Sequence, residues 1–538
     1  MNKSQFENEP LTDFRIEDNR RRMKDALQAA RREFGRKYPL VIGGKEVWTE
    51  RDMLSINPAR PTEIVGRVAK GRRADAEAAV NAARASFPKW SKTSAEERAG
   101  VLERTADLLR EERFELAALE AFETGKPWIE GDADVAEAID FCNFYAKEMR
   151  RIAVRHYDVP GEMNLHHYVP RGIAAVIAPW NFPLAILCGM TTAAMVAGNT
   201  VIMKPAEQSS VIAWRLMDIL QRAGASAGVV NYLPGLGEEV GAYLAEHPEV
   251  SLIAFTGSRK VGLGIYEMAG RMKPGQKQLK RAVCEMGGKN AMIIDDDADV
   301  DEAVPAIISS AFGYQGQKCS ALSRLIVVKG NYDRVLERLI EACRDLKSGP
   351  PEEPGTVVGP VIDKAAYDRI LSYIELGKQE GKPAFQGQIP EGDGYFVRPT
   401  IFTDVSPSAR IAQEEIFGPV LCVFKARDLD EALAWANGTE YALTGGFFSR
   451  SPANIELVKA EMEAGNVYIN RGITGAMVAR QPFGGFKMSG GGTKAGGGDY
   501  LLDFLLPRVV TENNMRRGFT PEIEVVPASG IEPLTSGL

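Results

Sequence analysis

Strand-like and helix-like segments alternate along the chain from about residue 172 to about residue 470. Helix-length stretches such as SSVIAWRLMDILQRAG separate short β-prone apolar runs, the first of which are GIAAVIA, NTVIM, GVVNYL and VSLIAF. Strands joined by helices pair in parallel, and the helices cover the faces of the sheet. The alternation therefore predicts an α/β fold built on parallel sheets.

The alternation begins again after Cys284. The later part contains the strand-like runs NAMIID, SRLIVVK, GPVLCVFKA, GGFFS and GNVYIN, and the helix-like runs DVDEAVPAIISSAFG and NYDRVLERLIEACRDL. A chain of 538 residues is also long enough for several structural units at roughly 150 residues each. We predict two successive parallel-sheet α/β domains, the first formed by residues 1–154 and 172–284 with a helical N-terminal part, the second by residues 285–490.

Helices are predicted near the N-terminus. Thr93 precedes Glu96 by three residues, a spacing that indicates a capping box at a helix start. Four acidic residues argue against a transit peptide in the segment RIEDNRRRMKDALQAARREFGRKYP. We predict instead that this segment forms an exposed amphipathic helix. We interpret residues 513–538 as a C-terminal tail, since VVPASGIEPLTSGL has no sign of a folded element.

Composition excludes several classes of function. The 65 basic and 72 acidic residues give a net charge of −7, so no nucleic-acid partner is expected. No apolar run approaches the roughly 18 residues of a membrane-spanning helix, and no HExxH or CxxC motif indicates a metal site. Six cysteines without paired spacing predict a reducing compartment, and we expect the cytoplasm.

Cys319 differs from the other five cysteines. It lies in YQGQKCSALS, a polar segment with two glycines nearby, whereas the others have large apolar neighbours. A reactive thiol needs partial exposure and nearby positive charge or N–H donors, which Lys318 and the backbone of this turn could supply. On the local sequence alone, a loop cysteine without a chemical role remains the alternative.

Glu285 is a candidate general base for that nucleophile. It ends a predicted strand in CEMGGKN, directly before Gly287 and Gly288. Paired glycines allow another segment or a ligand to approach closely, and an acid in an apolar setting can have a raised pKa suited to proton transfer. An ordinary glutamate in a turn is the alternative on local sequence.

Six segments together resemble the aldehyde dehydrogenase superfamily between about residue 38 and residue 510. In chain order they are APWNFP, KPAEQS, FTGS, EMGGKN, GQKCS and EEIFGPV. The first three follow predicted strands, at the edge where open α/β sheets bind ligands. The resemblance implies an NAD-binding domain, a catalytic domain and a small β oligomerisation hairpin from residues 155–171 and 499–512. It therefore implies a homo-oligomer, at least a dimer.

The same resemblance implies roles for individual residues. Cys319 would be the nucleophile, Glu285 the base, and Asn181 an oxyanion-hole donor together with the Cys319 backbone N–H. Lys204 and Glu207 would hold the adenine ribose of NAD, Ser258 the pyrophosphate, and Glu415 the nicotinamide ribose. The cofactor-binding set as a whole would be Trp180, Lys204, Glu207, Gly257, Ser258, Glu415 and Phe417.

GNVYINRGITGAMVARQPFGGFKMSGGGTKAGG, together with Ser320, resembles the branch of the family that oxidises L-glutamate γ-semialdehyde formed from 1-pyrroline-5-carboxylate in proline degradation. The substrate would contact Glu137, Phe182, Ser320, Gly475, Ala476 and Phe483. A proline dehydrogenase could hand over the substrate. One departure is Gly498, where that branch has proline.

Three alternatives remain open. The chain could oxidise another aldehyde such as succinate semialdehyde, transfer the acyl group to coenzyme A, or be a non-catalytic structural protein of the same fold.

Overall fold

The computed structural model describes residues 6–152, 154–491 and 493–515. Two seven-stranded sheets, each mostly parallel, dominate these described ranges. The prediction of two successive parallel-sheet α/β units is thereby confirmed.

The first sheet is buried on both faces. Alternate residues of its interior strand Ile173–Ile177 enter two separate hydrophobic cores, Ala174 and Val176 in one and Ile173 and Ala175 in the other. This arrangement is expected of a parallel sheet covered by helices. The strands are, in spatial order, Arg281–Glu285, Val250–Thr256, Ile173–Ile177, Thr200–Lys204, Val230–Tyr232, Leu40–Ile42 and Lys45–Val47. The helices that follow or precede them are Arg73–Trp90, Ala185–Val196, Ser210–Arg222, Ala242–Glu246 and Arg259–Gly270.

The second sheet has the same construction. Ile293 and Ile326 enter one core, while Met292 and Leu325 on the same two strands enter another. Its strands are, in spatial order, Lys382–Gln386, Thr400–Thr403, Val420–Ala426, Leu322–Val328, Asn290–Ile294, Thr444–Phe448 and Asn466–Ile469. Its helices are Val300–Phe312, Tyr332–Arg344, Lys364–Glu380, Arg410–Gln413, Leu429–Asn437 and Pro452–Glu461.

Four residues connect the two sheets. An edge strand of the first sheet ends at Glu285, and an interior strand of the second begins at Asn290. At this connection, the carboxyl end of a strand in the first sheet is therefore close to the amino end of a strand in the second sheet. The short pair Tyr441–Ala442 and Phe486–Lys487 lies beside it.

The N-terminal part contains more β-structure than the sequence predicted. A three-stranded sheet is formed by Arg36–Tyr38, Arg60–Ala69 and Asp52–Asn57. These strands were missed because their burial is irregular along the chain, so no clean alternation of apolar and polar residues marks them. The N-terminal helices are Glu17–Arg32, Ala95–Glu111, Arg113–Thr124 and Trp128–Arg151.

One detail of these helices differs from prediction, and the amphipathic character of the first helix agrees with it. The capping box is formed by Ser94, whose Oγ accepts from Glu97 N at 3.2 Å, and not by Thr93. Both positions fit the same spacing pattern, but the Thr93 hydroxyl instead donates to Lys89 O. Helix Glu17–Arg32 is exposed on one side only, because Met23, Ala26 and Leu27 are buried.

A small third sheet contains Arg155–His156, Glu162–Pro170 and Leu505–Asn513. The last strand begins later than the predicted residue 499, because Tyr500–Phe504 form a 3₁₀ helix. Tyr500, Leu501 and Phe504 of this helix are buried in the same hydrophobic core as Ala174 and Val176. Of the predicted tail, residues 516–538 lie outside the described ranges. None of the described helices combines the length and apolar character needed to span a bilayer.

Candidate active site

A cavity of about 260 Å³ contains both Cys319 and Glu285. Residues from distant parts of the sequence meet there, because the cavity lies where the two sheets approach each other. Its lining includes every residue predicted to contact the substrate, namely Glu137, Phe182, Ser320, Gly475, Ala476 and Phe483.

A tight turn precedes Cys319, the predicted nucleophile. Tyr314, Gln315 and Gly316 all have positive φ angles, of 50°, 56° and 68°. For the two non-glycine residues this conformation costs about 1–2 kcal/mol each. Tertiary hydrogen bonds hold it: the Gln315 amide donates to Gly125 O at 3.1 Å and to Pro360 O at 2.8 Å.

Asn290 holds the cysteine from the other side. Its side-chain amide donates to Cys319 O at 2.7 Å and to Ala321 O at 2.8 Å. Its side-chain oxygen accepts from Thr444 N at 2.9 Å. Sequence analysis missed this residue, although a polar side chain at the start of the apolar strand Asn290–Ile294 was a usable signal. The nucleophile segment is thus fixed through its backbone.

The Cys319 thiol is protonated in its present surroundings. Burial, together with the charges of Glu415 and Glu285, raises the pKa of Cys319 to about 12. Lys318, considered in the sequence as a source of positive charge, donates instead to Glu130 Oε1 at 2.7 Å. That carboxylate compensates the Lys318 charge, so the thiol needs a proton acceptor during attack.

Glu285 is packed among glycines at the end of its strand. A Cβ atom on Gly484 would lie 3.1 Å from Glu285 Oε1, and one on Gly490 would lie 2.8 Å from Oε2. Gly485 N donates to Oε2 at 3.2 Å, whereas Oε1 is buried without a protein partner among the described residues. Glycine is therefore required here for the carboxylate to fit.

Burial raises the pKa of Glu285 to about 8, while the Gly485 N–H and the charge of Lys494 lower it. A carboxyl group that ionises near the working pH is well matched to general-base catalysis. Among the other carboxyl groups of the cavity, burial also raises the pKa of Glu137 to about 8.

Asn181 is buried and is not among the residues that line the cavity, although the next residue, Phe182, lines it. Its side-chain amide donates to Gln317 O at 3.0 Å, two residues before the nucleophile. An amide nitrogen carries two hydrogens, so this bond uses one N–H and ties the APWNFP segment to the nucleophile turn.

The residues predicted to contact the substrate differ in how tightly their surroundings hold them. Gly475 has a φ angle of 73°, and a Cβ there would meet nothing within 4 Å. Phe483 is held by backbone hydrogen bonds with Ala495 at 2.8 and 2.9 Å. The buried Lys126 ammonium lies 4.1 Å from the centre of the Phe182 ring. Sequence analysis missed Lys126, which had no local signal.

The predicted cofactor residues line a different region, outside the 260 Å³ cavity. Lys204 ends its strand, and its Nζ donates to Glu207 Oε1 at 3.0 Å. Gly257 and Ser258 follow strand Val250–Thr256, which lies two strands away in the same sheet, and Ser258 caps the next helix through Val261 N. These residues share the carboxyl edge of the first sheet, as predicted from the alternation.

The remaining cofactor candidates connect the two sheets. Trp180 and Phe417 meet edge to face at 5.6 Å between ring centres. Glu415 Oε1 accepts from Gly288 N at 2.9 Å, and burial raises the pKa of Glu415. Within the described ranges, no cluster of three or more His, Cys, Asp or Glu residues could hold a metal ion.

Comparison with known proteins identifies the family. Residues 47–510 match the model of the aldehyde dehydrogenase family. The 1-pyrroline-5-carboxylate dehydrogenase of Geobacillus sp. strain WCH70 is 50% identical over 509 residues, covering 94% of this chain and 99% of that protein. A protein of Bacillus subtilis strain 168 named 1-pyrroline-5-carboxylate dehydrogenase 2 is 48% identical over the same shares.

Solved structures agree. The NAD-bound 1-pyrroline-5-carboxylate dehydrogenase from Thermus matches with a TM-score of 0.93 and 50% identity, covering 95% of this chain and all of that one. Proline utilization A from Bdellovibrio bacteriovorus matches with a TM-score of 0.95 and 52% identity over 96% of this chain, which spans 54% of that longer protein. The resemblance inferred from six ordered segments is confirmed: the chain belongs to the aldehyde dehydrogenase family.

Proposed function

We propose that this chain oxidises L-glutamate γ-semialdehyde, the open form of 1-pyrroline-5-carboxylate, to L-glutamate with NAD. The observation that carries the proposal is one cavity in which a nucleophile, a base with a near-neutral pKa and a small-residue turn meet. The names of the relatives, at about half identity over nearly the whole chain, support the same substrate.

Cys319 begins the reaction by attacking the aldehyde carbon to form a thiohemiacetal. The thiol proton passes to water as the C–S bond forms, because burial disfavours a free thiolate before attack. The developing oxyanion is stabilised by the free N–H of Asn181 and the backbone N–H of Cys319. Their preorganisation comes from the Gln317 and Asn290 hydrogen bonds, which fix both segments.

When bound, NAD accepts the hydride that leaves the thiohemiacetal carbon, and a thioester remains on Cys319. Glu207 and Lys204 would hold its adenine ribose, Ser258 its pyrophosphate and Glu415 its nicotinamide ribose, with Trp180, Gly257 and Phe417 nearby. The residues fit this role. Gly237 N donates to Glu207 Oε1 at 2.7 Å, and a Cβ on Gly237 would come within 3.7 Å of that oxygen and 4.0 Å of Lys204 Nζ. Both described hydrogen bonds of the Glu207 carboxylate go to Oε1, so Oε2 can accept hydroxyl hydrogens.

Glu285 completes the reaction as the general base. Its carboxylate takes a proton from water, which attacks the thioester carbon and releases L-glutamate and the Cys319 thiol. The unpartnered Oε1 is the oxygen with free acceptor capacity for that water.

The other end of the substrate carries a carboxylate and an ammonium group. Ser320 and the backbone N–H groups of Gly475 and Ala476 would bind the carboxylate, since adjacent amides in a turn form an anion site. Glu137 would face the ammonium group. Phe182 and Phe483 would exclude water from the carbons between the two ends.

The biological setting is also proposed. Six free cysteines support a reducing compartment, the cytoplasm. The small third sheet exposes Tyr157, Val159 and Val509, which supports its use as a dimer interface. The match to proline utilization A supports substrate hand-over from a proline dehydrogenase.

Substrate comparison tests the assignment. Purified protein with NAD should oxidise 1-pyrroline-5-carboxylate far better than propanal or succinate semialdehyde, without coenzyme A. A site that hydrogen-bonds a polar group discriminates strongly against analogues that lack it. Equal efficiency with propanal, dependence on coenzyme A, or no turnover would each favour one of the alternatives.

Replacing Gly475 by alanine tests the carboxylate site. The methyl group of alanine would meet no atom within 4 Å, but a φ angle of 73° is strained for any residue other than glycine. Relief of this strain should displace the backbone amides. KM for the semialdehyde should then rise about tenfold, while KM for propanal stays unchanged. Gly355→Ala is the matched control, because Gly355 has a φ of 80° and equally open space on an exposed loop. A parallel rise of both KM values, or an effect of the control, would contradict the carboxylate role.

A further inference from the structure

Lys494 has an unusual position for a lysine. Its Nζ is half-buried and donates to three oxygens: Gly465 O at 2.6 Å, Gly484 O at 2.7 Å and Asn466 Oδ1 at 3.0 Å. An ammonium group has three N–H donors, so all of them are used. The lysine thus bridges strand Asn466–Ile469 and the glycine loop that follows Phe483.

These contacts fix the loop that touches Glu285. Asn466 also donates to Pro482 O at 2.9 Å and accepts from Gly484 N at 3.3 Å. The next residue, Gly485, supplies the N–H that reaches Glu285 Oε2. Because Lys494 holds the carbonyl of Gly484, it determines where the adjacent Gly485 N–H points.

The titratable groups around Glu285 come from its own strand and from three other segments. Cys284 precedes it on the strand, Tyr266 lies on helix Arg259–Gly270, Tyr500 and Asp503 lie on the 3₁₀ helix, and Cys319 lies across the cavity. Asp503 is itself paired with Arg281. Among these described neighbours, Lys494 is the cation whose charge favours the carboxylate of Glu285.

We propose that Lys494 is a positioning residue for the general base: it orients the Gly485 N–H toward Glu285 and stabilises the carboxylate form. This inference rests on the proposed function, in which Glu285 activates water. Lys494 would thus control the rate of thioester hydrolysis at neutral pH, although it does not touch the substrate.

The sign of the effect follows from charge. An acid works as a base only when ionised, so hydrolysis should increase as pH rises through the Glu285 pKa of about 8. Removing the Lys494 charge destabilises the carboxylate and raises that pKa further. The rate of thioester hydrolysis should then increase at a higher pH than in the unmodified protein. At pH values well above the new pKa, the two rates should be equal.

The test is the pH dependence of acyl-enzyme hydrolysis in Lys494→Met, followed by rapid quenching and mass spectrometry. We expect the midpoint to move up by about one pH unit, a roughly tenfold loss at pH 7. Lys494→Arg should retain the original midpoint. Lys459→Met is the control, since Lys459 is exposed and pairs only with Glu456 on its own helix among the contacts described.

A uniform loss of rate at all pH values, or no change, would overturn the inference. If Lys494→Met does not fold, Lys494→Gln keeps a hydrogen-bond donor without the charge and must show the same shift. The variant Glu285→Gln distinguishes an error in the role of Glu285 from an error in the role of Lys494. If it leaves the pH dependence intact, the proposed base is wrong; if it abolishes the pH dependence and Lys494→Met leaves it unmoved, only the role of Lys494 is wrong.

Discussion

The two sides of the catalytic cavity are built differently. On the nucleophile side, Asn290 and Gln315 hold a strained backbone through several hydrogen bonds. On the base side, the carboxylate of Glu285 has one backbone donor, and its other oxygen has no partner in the described ranges. A nucleophile must keep one position to attack, whereas a base must exchange a proton with water. The structure gives rigidity to the first and spare acceptor capacity to the second.

The electrostatics of the two sides differ as well. Burial raises the pKa of the Cys319 thiol to about 12 and that of the Glu285 carboxyl to about 8. Only the second value lies near neutral pH. The base is therefore the group whose ionisation responds to small changes in its surroundings, while attack by the thiol depends on geometry.

Loss of the nucleophile should have the largest effect. Cys319→Ala should abolish NADH formation and acyl-enzyme formation, because no other side chain of the cavity offers a comparable thiol. NAD binding, measured by calorimetry, should persist, since the proposed cofactor residues lie on other segments. Cys343→Ala, a buried cysteine of helix Tyr332–Arg344, is the control and should keep its activity. Turnover by Cys319→Ala would refute the assignment.

Loss of the base should divide the reaction into two stages. In Glu285→Gln the first NADH should form in a burst, while hydrolysis of the thioester slows by about 10²–10⁴-fold, the usual contribution of a general base. The glutamine oxygen can still accept from Gly485 N, so the packing is retained. Mass spectrometry should detect the acylated Cys319. Unchanged hydrolysis would place the base elsewhere.

Much of this arrangement could be predicted from sequence. The alternation of strands and helices predicted both sheets, because buried parallel strands have a strong apolar signal. The segments around Cys319 and Glu285 stood out since glycine and polar residues interrupt that signal. Family resemblance then assigned roles to Cys319 and Glu285 and named the six substrate-contact residues that the structure brings into the same cavity.

The supporting residues could not be predicted in the same way. Asn290 and Lys494 act through bonds to backbone oxygens that are distant in sequence, 29 residues for Asn290 with Cys319 and 29 for Lys494 with Gly465. Such bonds depend on tertiary packing: the local sequence can mark Asn290 as a polar residue at the start of an apolar strand, but it does not show which distant oxygens the side chain reaches. The short N-terminal strands were missed for a related reason, since their pairing partners determine them more than their own residues do.

The smallest predicted effect concerns the support of the nucleophile. Asn290→Ala removes two hydrogen bonds to the nucleophile segment and one from Thr444 N. Cys319 should then sample several positions, and acylation should slow by about tenfold, equivalent to about 1.4 kcal/mol. Thioester hydrolysis should change less, because Glu285 is held by a different loop. The rate of burst NADH formation measures the first step, and decay of the acyl-enzyme measures the second.

Asn331→Ala provides the matched control for this variant. Asn331 is also buried and also donates to two carbonyls, Asp295 O at 2.7 Å and Asp296 O at 2.8 Å, but it lies away from the nucleophile turn. Loss of buried bonds costs about 1–3 kcal/mol of stability at either site, so both variants should unfold at lower denaturant concentration. Only Asn290→Ala should slow acylation. If the two variants lose stability and acylation rate in parallel, or if Asn290→Ala slows both chemical steps equally, then the rigidity of the nucleophile side has no catalytic role of its own, and the contrast between the two sides of the cavity fails.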